Sequence, residues 1–261
     1  MIFLTAVLLL NSQCSKREAT GTSESELHKP QRPLAYTNGK IFNSDGKTFL
    51  FGGEDSTQHF NIDNIDLNVE QLHYGIGREA FPALLEPEFV SVPEADSIWP
   101  DTSRFLVAWG EGQVKAYSIK DLTRHEVVND RIDGRPVMAA YCILADLGAI
   151  YERQYGKEEL TFALSGYTYY DDEVWNGLDG FVFWDRETES LWWPLIGRAV
   201  SGKLKGVKLM ETDTSQWMDT QWSVVKERFP NALVLKSGQD FMRPTEWREI
   251  NDVDDIVKNY K

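Results

Sequence analysis

His125 and Cys142 are the residues of this chain whose side chains have the most specific chemistry. Each is the last of its type in the sequence, and they lie in the segments Arg124-His-Glu-Val-Val-Asn-Asp130 and Ala140-Tyr-Cys-Ile-Leu144. An imidazole and a thiolate together bind soft or borderline metal ions such as copper or zinc, and a thiol can also undergo redox chemistry. The sequence therefore predicts a metal or redox site at His125 and Cys142, and it leaves the identity of any metal cofactor open.

The elements expected around these two residues would bring them together. The apolar spacing predicts a helix over Ile119–Asn129, which carries His125, and the apolar run Pro136–Leu144 predicts a strand that carries Cys142. The turn signal Asp133-Gly134 lies between them. Because elements joined by short connections are usually neighbours in space, we expect the two side chains to lie within bonding distance.

The N-terminal residues predict export and a lipid anchor. The apolar run Ile2–Leu10 is shorter than the about twenty residues that span a bilayer, and it fits the core of a secretory signal. Cys14 then lies where a bacterial lipoprotein would be cleaved and acylated, although Gln13 replaces the usual small residue before it. The predicted organisation is a signal peptide (1–14), a polar tether (15–34) and one domain (35–261), in an extracytoplasmic (periplasmic) protein anchored to a bacterial membrane.

An ordinary signal peptide with a coincidental cysteine is the alternative for this segment. If Cys14 is lipidated, Cys142 has no disulfide partner, because the chain contains two cysteines. An unpaired thiol outside the cytoplasm is then either a metal ligand, a redox group or a small buried hydrophobic residue.

Composition limits the class of partner. The formal net charge of −14 over 261 residues disfavours nucleic acid and anionic lipid, because the protein's field repels phosphates. Membrane contact is therefore expected through the lipid anchor alone. The chain also has nine Trp and ten Tyr residues, which predict a β-rich core with large aromatic anchors or, alternatively, a ligand groove.

The pattern of short apolar runs predicts a mainly β (α+β) fold, as a single open or barrel-like β-domain with two or three short helices. Hairpins are expected over 41–51 and 104–118. Further strands are expected over 148–155, 160–170, 181–185, 207–211 and 232–236, a further helix over 215–229, and a terminal helix or tail over 253–260.

Several catalytic motifs are excluded. His125-Glu126 begins like the helix motif of zinc proteases, but Asn129 stands where the second histidine would be. Leu164-Ser-Gly166 lacks the first glycine of a nucleophile elbow. No glycine-rich phosphate loop is present in the sequence.

A set of short motifs resembles one known family. In order, these are Phe81-Pro-Ala-Leu84, Phe89-Val-Ser91, His125-Glu-Val-Val-Asn129, Gly134-Arg-Pro-Val137, Tyr141-Cys142, Phe162-Ala-Leu-Ser-Gly166, Trp184-Asp-Arg-Glu-Thr-Glu-Ser-Leu-Trp192 and Gly197-Arg-Ala-Val200. Over roughly residues 60–236 the chain is similar to the bacterial and archaeal domain of unknown function 3179. The resemblance implies a domain assignment and brings no activity with it.

One departure from that family concerns the predicted site. Its members typically carry Tyr-Cys-Pro-Leu-Cys, whereas this chain has Ile143 for the proline and Ala145 for the second cysteine. A dithiol mechanism at this segment is therefore excluded. What remains is His125 with Cys142, with further ligands from Glu126, Asp130 or elsewhere, or a scaffold that has lost the family's site.

The sequence thus leaves three functions open, and whether the protein is an enzyme is undecided. The first is a cell-envelope metal-binding or redox protein. The second is a binding or scaffolding lipoprotein for a small-molecule, glycan or protein ligand, with candidate contacts at Trp175, Trp192, Trp193, Trp217 and Trp222. The third, a hydrolase, ranks lowest, because no set of carboxylates or triad residues is selected.

The polar run Asp185-Arg-Glu187 is expected to be mainly structural. It lies between two aromatic strands, where a turn needs polar side chains to satisfy its backbone. Arg186 could instead pair with a buried carboxylate.

Overall fold

The computed structural model describes residues 37–171, 173–174, 179–240, 244 and 246–261. Over these residues the protein is mainly β, with several sheets and four α-helices, and none of the sheets closes into a barrel. The mainly β fold predicted from the sequence is confirmed in its open form, with one helix more than the two or three expected. The predicted signal peptide, the tether and Cys14 lie outside the described residues.

The largest sheet has six strands, and every pair in it is antiparallel. Its order is β1 (Thr37–Asn38), β5 (Leu72–Tyr74), β14 (Phe162–Tyr169), β15 (Gly180–Asp185), β16 (Leu191–Trp193) and β17 (Arg198–Ala199). The register of β14 against β15 shifts between Leu164 and Tyr167. Gly166 in this bulge has φ +82°, and a Cβ there would lie 2.1 Å from the carbonyl oxygen of Gly77, so glycine is required.

A three-stranded antiparallel sheet carries the predicted site segments. Its order is β11 (Leu147–Glu152), β10 (Arg135–Cys142) and β9 (Val127–Ile132). Asp133 and Gly134 both have positive φ, which matches the tight turn expected between β9 and β10. Side chains alternate along β10, so Met138, Ala140 and Cys142 face the main core while their neighbours face a second apolar cluster.

A five-stranded sheet is the second largest among the described residues. Its order is β18 (Trp217–Gln221), β7 (Arg104–Trp109), β8 (Val114–Ser118), β19 (Leu233–Leu235) and β6 (Phe89–Ser91), with β19 parallel to β8 and the other pairs antiparallel. Small sheets are formed by β2 (Ile41–Ser44), β3 (Lys47–Leu50) and β4 (Phe60–Asn61), and by β12 (Gln154–Tyr155) and β13 (Glu158–Glu159).

The four helices of the described residues are short. They are α1 (Val92–Ala95), α2 (Ile119–His125), α3 (Trp222–Arg228) and α4 (Asp254–Tyr260). Ser118 caps α2, because its Oγ accepts a hydrogen bond of 3.0 Å from the backbone N–H of Asp121. None of these helices has the length and apolar character needed to cross a membrane.

The predicted hairpins over 41–51 and 104–118 and the terminal helix are confirmed. The helix predicted over Ile119–Asn129 is wrong in its second half: it ends at His125, and Val127–Ile132 is a strand. Glu126 adopts the left-handed conformation that ends the helix, and the β-branched pair Val127-Val128 pairs with β10.

The helix predicted over 215–229 is also wrong in its first half. Trp217–Gln221 pairs with β7 as a strand, and the helix begins only at Trp222. Here strand pairing overrides the helical spacing of the apolar residues. The strand predicted over 207–211 is reduced to two isolated bridges, at Lys208 and Glu211.

Candidate functional site

The structure places the two predicted ligands on adjoining backbone segments. The backbone N–H of Tyr141 donates to the carbonyl oxygen of Glu126 at 2.9 Å, so the end of β10 lies beside the end of α2. The side chains have different surroundings. His125 Nδ1 lies 3.0 Å from the carbonyl oxygen of Pro82, while Cys142 packs in the main core.

The metal or redox pairing of His125 and Cys142 stays a prediction. Within the described ranges, no group of three or more His, Cys, Asp and Glu side chains is arranged to hold a metal ion. Asp130, one of the further ligands considered, faces away from Cys142, because strand alternation turns it toward Lys115 Nζ and Tyr117 Oη, each at 2.7 Å.

The environment of Cys142 is that of a buried apolar residue. Its side chain is 1% exposed, and burial raises the pKa of the thiol to about 11. At neutral pH the sulfur therefore keeps its proton. A protonated buried thiol is a poor nucleophile and a poor ligand until it is deprotonated.

Glu126, near this thiol, has an unusual backbone conformation and a buried carboxyl group. It has φ +57° at the C-terminal end of α2, and its backbone N–H donates to the carbonyl oxygen of Leu122 at 2.6 Å. Glycine is the usual residue in this left-handed position. The Glu126 side chain is 6% exposed, and burial raises its pKa to about 8. Within the described part of the chain, its carboxyl group takes part in no hydrogen bond or ion pair.

Glu126 lines a cavity of about 260 Å³, which we call the carboxyl pocket. Its other walls are mainly apolar and include Ile76, Phe81, Ile143, Leu144, Leu164 and Phe181. Thr168 also borders the cavity, and its Oγ1 donates to Asp179 at 2.9 Å. Asp179 in turn pairs with His73 Nδ1, so the hydroxyl is already engaged.

A second site is built around the turn that follows β15. Asp185 is fully buried, and its carboxylate accepts hydrogen bonds from the Thr188 N–H, the Thr188 hydroxyl and the Trp192 indole. These bonds fix the turn and confirm that this residue has the structural environment expected for it. Desolvation raises the pKa of Asp185 to about 7, although the hydrogen bonds act in the opposite direction.

Arg186 is held inside this turn and is 1% exposed. Its Nε donates to Glu79 Oε1 at 2.9 Å, so the pairing with a buried carboxylate that the sequence left as an alternative is present. Its Nη1 and Nη2 have no hydrogen-bond acceptor in the described ranges. A buried guanidinium whose outer nitrogens lack acceptors is costly, because it has lost its water without replacement.

Arg186 lines a cleft of about 700 Å³, which we call the arginine cleft. Its walls include Asn61, Asp63, Thr188, Lys203 and Trp247. Lys203 is already bonded, because its Nζ donates to Glu249, to the carbonyl oxygen of Ile250 and to Asn251. Among the described residues that line this cleft, the fully buried donors without an acceptor are Nη1 and Nη2 of Arg186.

Arg78 and two indoles line a neighbouring cavity of about 340 Å³, which shares Trp247 with the arginine cleft. The Arg78 guanidinium lies 3.6 Å from the ring centre of Trp184, and its Nη2 donates to Glu189 at 3.0 Å. Trp247 packs edge-on against Trp184 with ring centres 5.6 Å apart, and it is 39% exposed. Trp247 thus presents an accessible indole beside the buried arginine.

The tryptophans proposed from the sequence as ligand contacts are placed differently. Trp192, Trp193 and Trp222 are buried in the core, Trp217 is half-buried on β18, and Trp175 lies outside the described residues. Sequence reasoning did not single out Trp247, Arg78 or the binding potential of Arg186. The sequence signal was Arg186 itself, for which a buried carboxylate partner was considered, but nothing in the sequence shows that its other nitrogens lack acceptors.

A family model described as "Protein of unknown function (DUF3179)" matches residues 78–254, which is more than half of the chain and includes most residues of both sites. No curated protein and no solved structure matches the chain. The match agrees with the motif order seen in the sequence, and it extends beyond the resemblance toward the C-terminus. The chain belongs to the DUF3179 family.

Proposed function

We propose that this protein is a binding protein of the cell envelope whose arginine cleft takes a small ligand that carries an oxyanion. The observation that carries the proposal is Arg186, whose buried Nη1 and Nη2 have no acceptor in the described residues and which lines a cleft of about 700 Å³. Two parallel N–H groups of a guanidinium match the two oxygens of a carboxylate or phosphate.

The surroundings favour a ligand with a flat body as well as a charge. The volume lies in the range of about 300–1,000 Å³ that is typical of small-molecule sites. Trp247 supplies an accessible ring face next to the arginine, and Asn61 and Thr188 supply polar groups at the walls. An acidic monosaccharide combines these features: a carboxylate for Arg186, an apolar ring face for the indole, and hydroxyls for the polar walls.

The charges of the protein favour attraction of an anionic ligand at short range, by Arg186, and not at long range. The protein carries a formal net charge of −14, so it repels anions at a distance. Glu79 pairs with Arg186, and Glu189 pairs with Arg78 in the neighbouring cavity. An anion is therefore recognised by the geometry of the Arg186 fork and not by a positive field.

The cell-envelope location is part of the same proposal. It is supported by the apolar run Ile2–Leu10, by Cys14 and by the polar residues that follow. A lipid-anchored binding protein would present its ligand site close to the membrane.

The test is calorimetric titration of the full chain with glucuronate and with inorganic phosphate, with glucose as the neutral control. We expect one of the two anions to bind and glucose to bind more weakly. Arg186→Gln should lower the anion affinity about a hundredfold, because two charge-assisted hydrogen bonds are lost. Arg131→Gln, which changes an exposed arginine elsewhere, is the matched control and should bind as the wild type does.

Two results would overturn the proposal. One is the absence of saturable binding for both anions in the folded wild type. The other is an Arg186→Gln variant that binds the anion as tightly as the wild type. If Arg186→Gln fails to fold, Trp247→Ala replaces it, since this half-exposed indole can be removed with little effect on the core, and it should weaken the binding of glucuronate.

A further inference from the structure

The carboxyl pocket combines an apolar cavity with one unsatisfied polar group. Glu126 is nearly fully buried, and it takes part in no hydrogen bond or ion pair with the described residues. A buried carboxyl group without a partner costs several kcal/mol if it is ionised, so proteins usually pair such groups, bridge them with water or keep them protonated. Glu126 also has a left-handed backbone conformation. Non-glycine residues in such strained conformations occur most often at functional sites.

The mouth of this pocket is also apolar. Ile76 and Ile143 line the cavity and are 44% and 41% exposed, which places them among the few exposed large hydrophobic residues described. They come from different parts of the chain, one after β5 and one after β10. Two exposed isoleucines at the opening of one apolar cavity indicate an entrance for an apolar molecule.

The size of the cavity limits what it can hold. A cavity of about 150 Å³ with apolar walls is enough for benzene. The carboxyl pocket has about 260 Å³, so it has room for a ring or a short alkyl chain with one functional group. No Lys or Arg side chain is among the described residues that line the pocket. Among its described lining residues the pocket thus offers Glu126 no positive partner, and a cationic ligand would supply one.

We propose that the carboxyl pocket is a second ligand site, which binds a small apolar amine whose ammonium group pairs with Glu126. The apolar body occupies the space between Phe81, Leu164 and Phe181, and the ammonium group donates to the otherwise unpartnered carboxylate. This proposal does not depend on the arginine cleft, because the two sites share no lining residue.

The experiment uses benzylamine as the probe, with benzyl alcohol and toluene as matched molecules that lack the charge. Binding to the full-length folded protein is measured by calorimetry and by shifts of the methyl NMR signals of Ile76 and Ile143. At a pH just above the Glu126 pKa of about 8, where the carboxyl group is ionised, we expect benzylamine to bind at least about tenfold more tightly than benzyl alcohol, because an ion pair with an otherwise uncompensated buried carboxylate exceeds a neutral hydrogen bond. Equal affinities for the two molecules would overturn the proposal, and so would the absence of saturable benzylamine binding.

Two variants locate the site. Glu126→Gln should lower the benzylamine affinity at least about tenfold and leave toluene binding unchanged, whereas Glu111→Gln, on an exposed turn, should change neither. Ile143→Lys places an ammonium group of the chain itself at the mouth, where it competes with the probe. It should abolish benzylamine binding, while Ile98→Lys, a change at another exposed isoleucine, should not. Benzylamine affinity that survives in a folded Glu126→Gln or Ile143→Lys variant would contradict the site assignment, and Ile143→Lys decides the question if Glu126→Gln does not fold.

Discussion

The carboxyl pocket and the arginine cleft each contain one buried charged side chain, but they differ in what surrounds it. Glu126 lies among apolar walls and takes part in no described hydrogen bond, whereas Arg186 is fixed by Glu79 and framed by a hydrogen-bonded turn. In the carboxyl pocket, the apolar walls disfavour the ionised form of Glu126. In the cleft, the Nε of the guanidinium is paired, and its Nη1 and Nη2 have no acceptor among the described residues.

This difference affects how each region responds to change. A site held by apolar packing tolerates the loss of one polar group, because the remaining walls keep their contacts. A site held by buried ion pairs does not, because removal of one partner leaves the other as an uncompensated charge. We therefore expect the largest losses of stability from substitutions around Arg186 and smaller losses from substitutions around the carboxyl pocket and Cys142.

Glu79→Gln should have the largest effect on stability. Glu79 Oε1 is the described acceptor of the buried Arg186 guanidinium, so the variant leaves that charge without a carboxylate. We expect a loss of about 3–5 kcal/mol in the free energy of unfolding. Urea denaturation measures it, and Glu111→Gln on an exposed turn serves as the control. A loss no larger than that of the control would show that Arg186 is not held by this pair.

The pH dependence of stability should come partly from Asp185. Its folded pKa, raised by desolvation to about 7, lies above the value of an unfolded aspartate, so the folded state holds a proton between about pH 4 and 7 that the unfolded state releases. This contribution to stability is present in full below about pH 4 and is lost as the pH rises through about 7, with a total of a few kcal/mol.

Asp185→Asn should remove the contribution of Asp185 to the pH dependence of the free energy of unfolding. The measurement is the free energy of unfolding of wild type and variant between about pH 4 and 8. Glu187 is buried nearby, and desolvation raises its pKa as well, so Glu187→Gln is measured in parallel to separate its contribution. If Asp185→Asn has the same pH slope as the wild type, Asp185 is ionised throughout this range and the turn is more polar than its burial indicates.

Cys142→Ala should have a small effect and should separate the two interpretations of this thiol. If Cys142 is a buried apolar residue, as its exposure and raised pKa favour, the variant loses about 1 kcal/mol of stability. The native thiol should then react slowly with an aromatic disulfide reagent. If the predicted metal or redox pairing with His125 holds, protein purified from its native envelope should contain copper or zinc, and Cys142→Ala should lose it.

The sequence predicted the fold class, two hairpins and the turn at Asp133-Gly134, because these depend on local residue chemistry. The helices over 119–129 and 215–229 were extended too far, because strand pairing by Val127–Ile132 and Trp217–Gln221 involves residues distant in sequence. A local sequence pattern does not show which distant strand a segment will pair with.

The candidate sites also depend on contacts between residues that are distant in sequence. His125 and Cys142 were selected because their side chains are rare and reactive, and the structure brings their backbone segments together without a described metal-binding group. Arg186 and Glu126 are common residue types, and their chemistry arises from burial. That burial depends on contacts such as Glu79 with Arg186, which are far apart in the chain, so it could not be inferred from spacing.

The smallest expected effect on either site comes from Cys14→Ser, which tests location instead of stability. A diacyl anchor buries many methylene groups at about 0.8 kcal/mol each, so the wild type should be found in the membrane fraction and Cys14→Ser in the soluble fraction. Because Cys14 precedes the predicted tether 15–34, the free energy of unfolding should change by less than about 0.5 kcal/mol. The affinities of the cleft for its anion and of the pocket for benzylamine should both be retained. Cys142→Ser is the matched control and should stay with the membrane. A Cys14→Ser protein that also stays there would contradict the lipid anchor, and it would remove the main argument that Cys142 lies in an extracytoplasmic compartment.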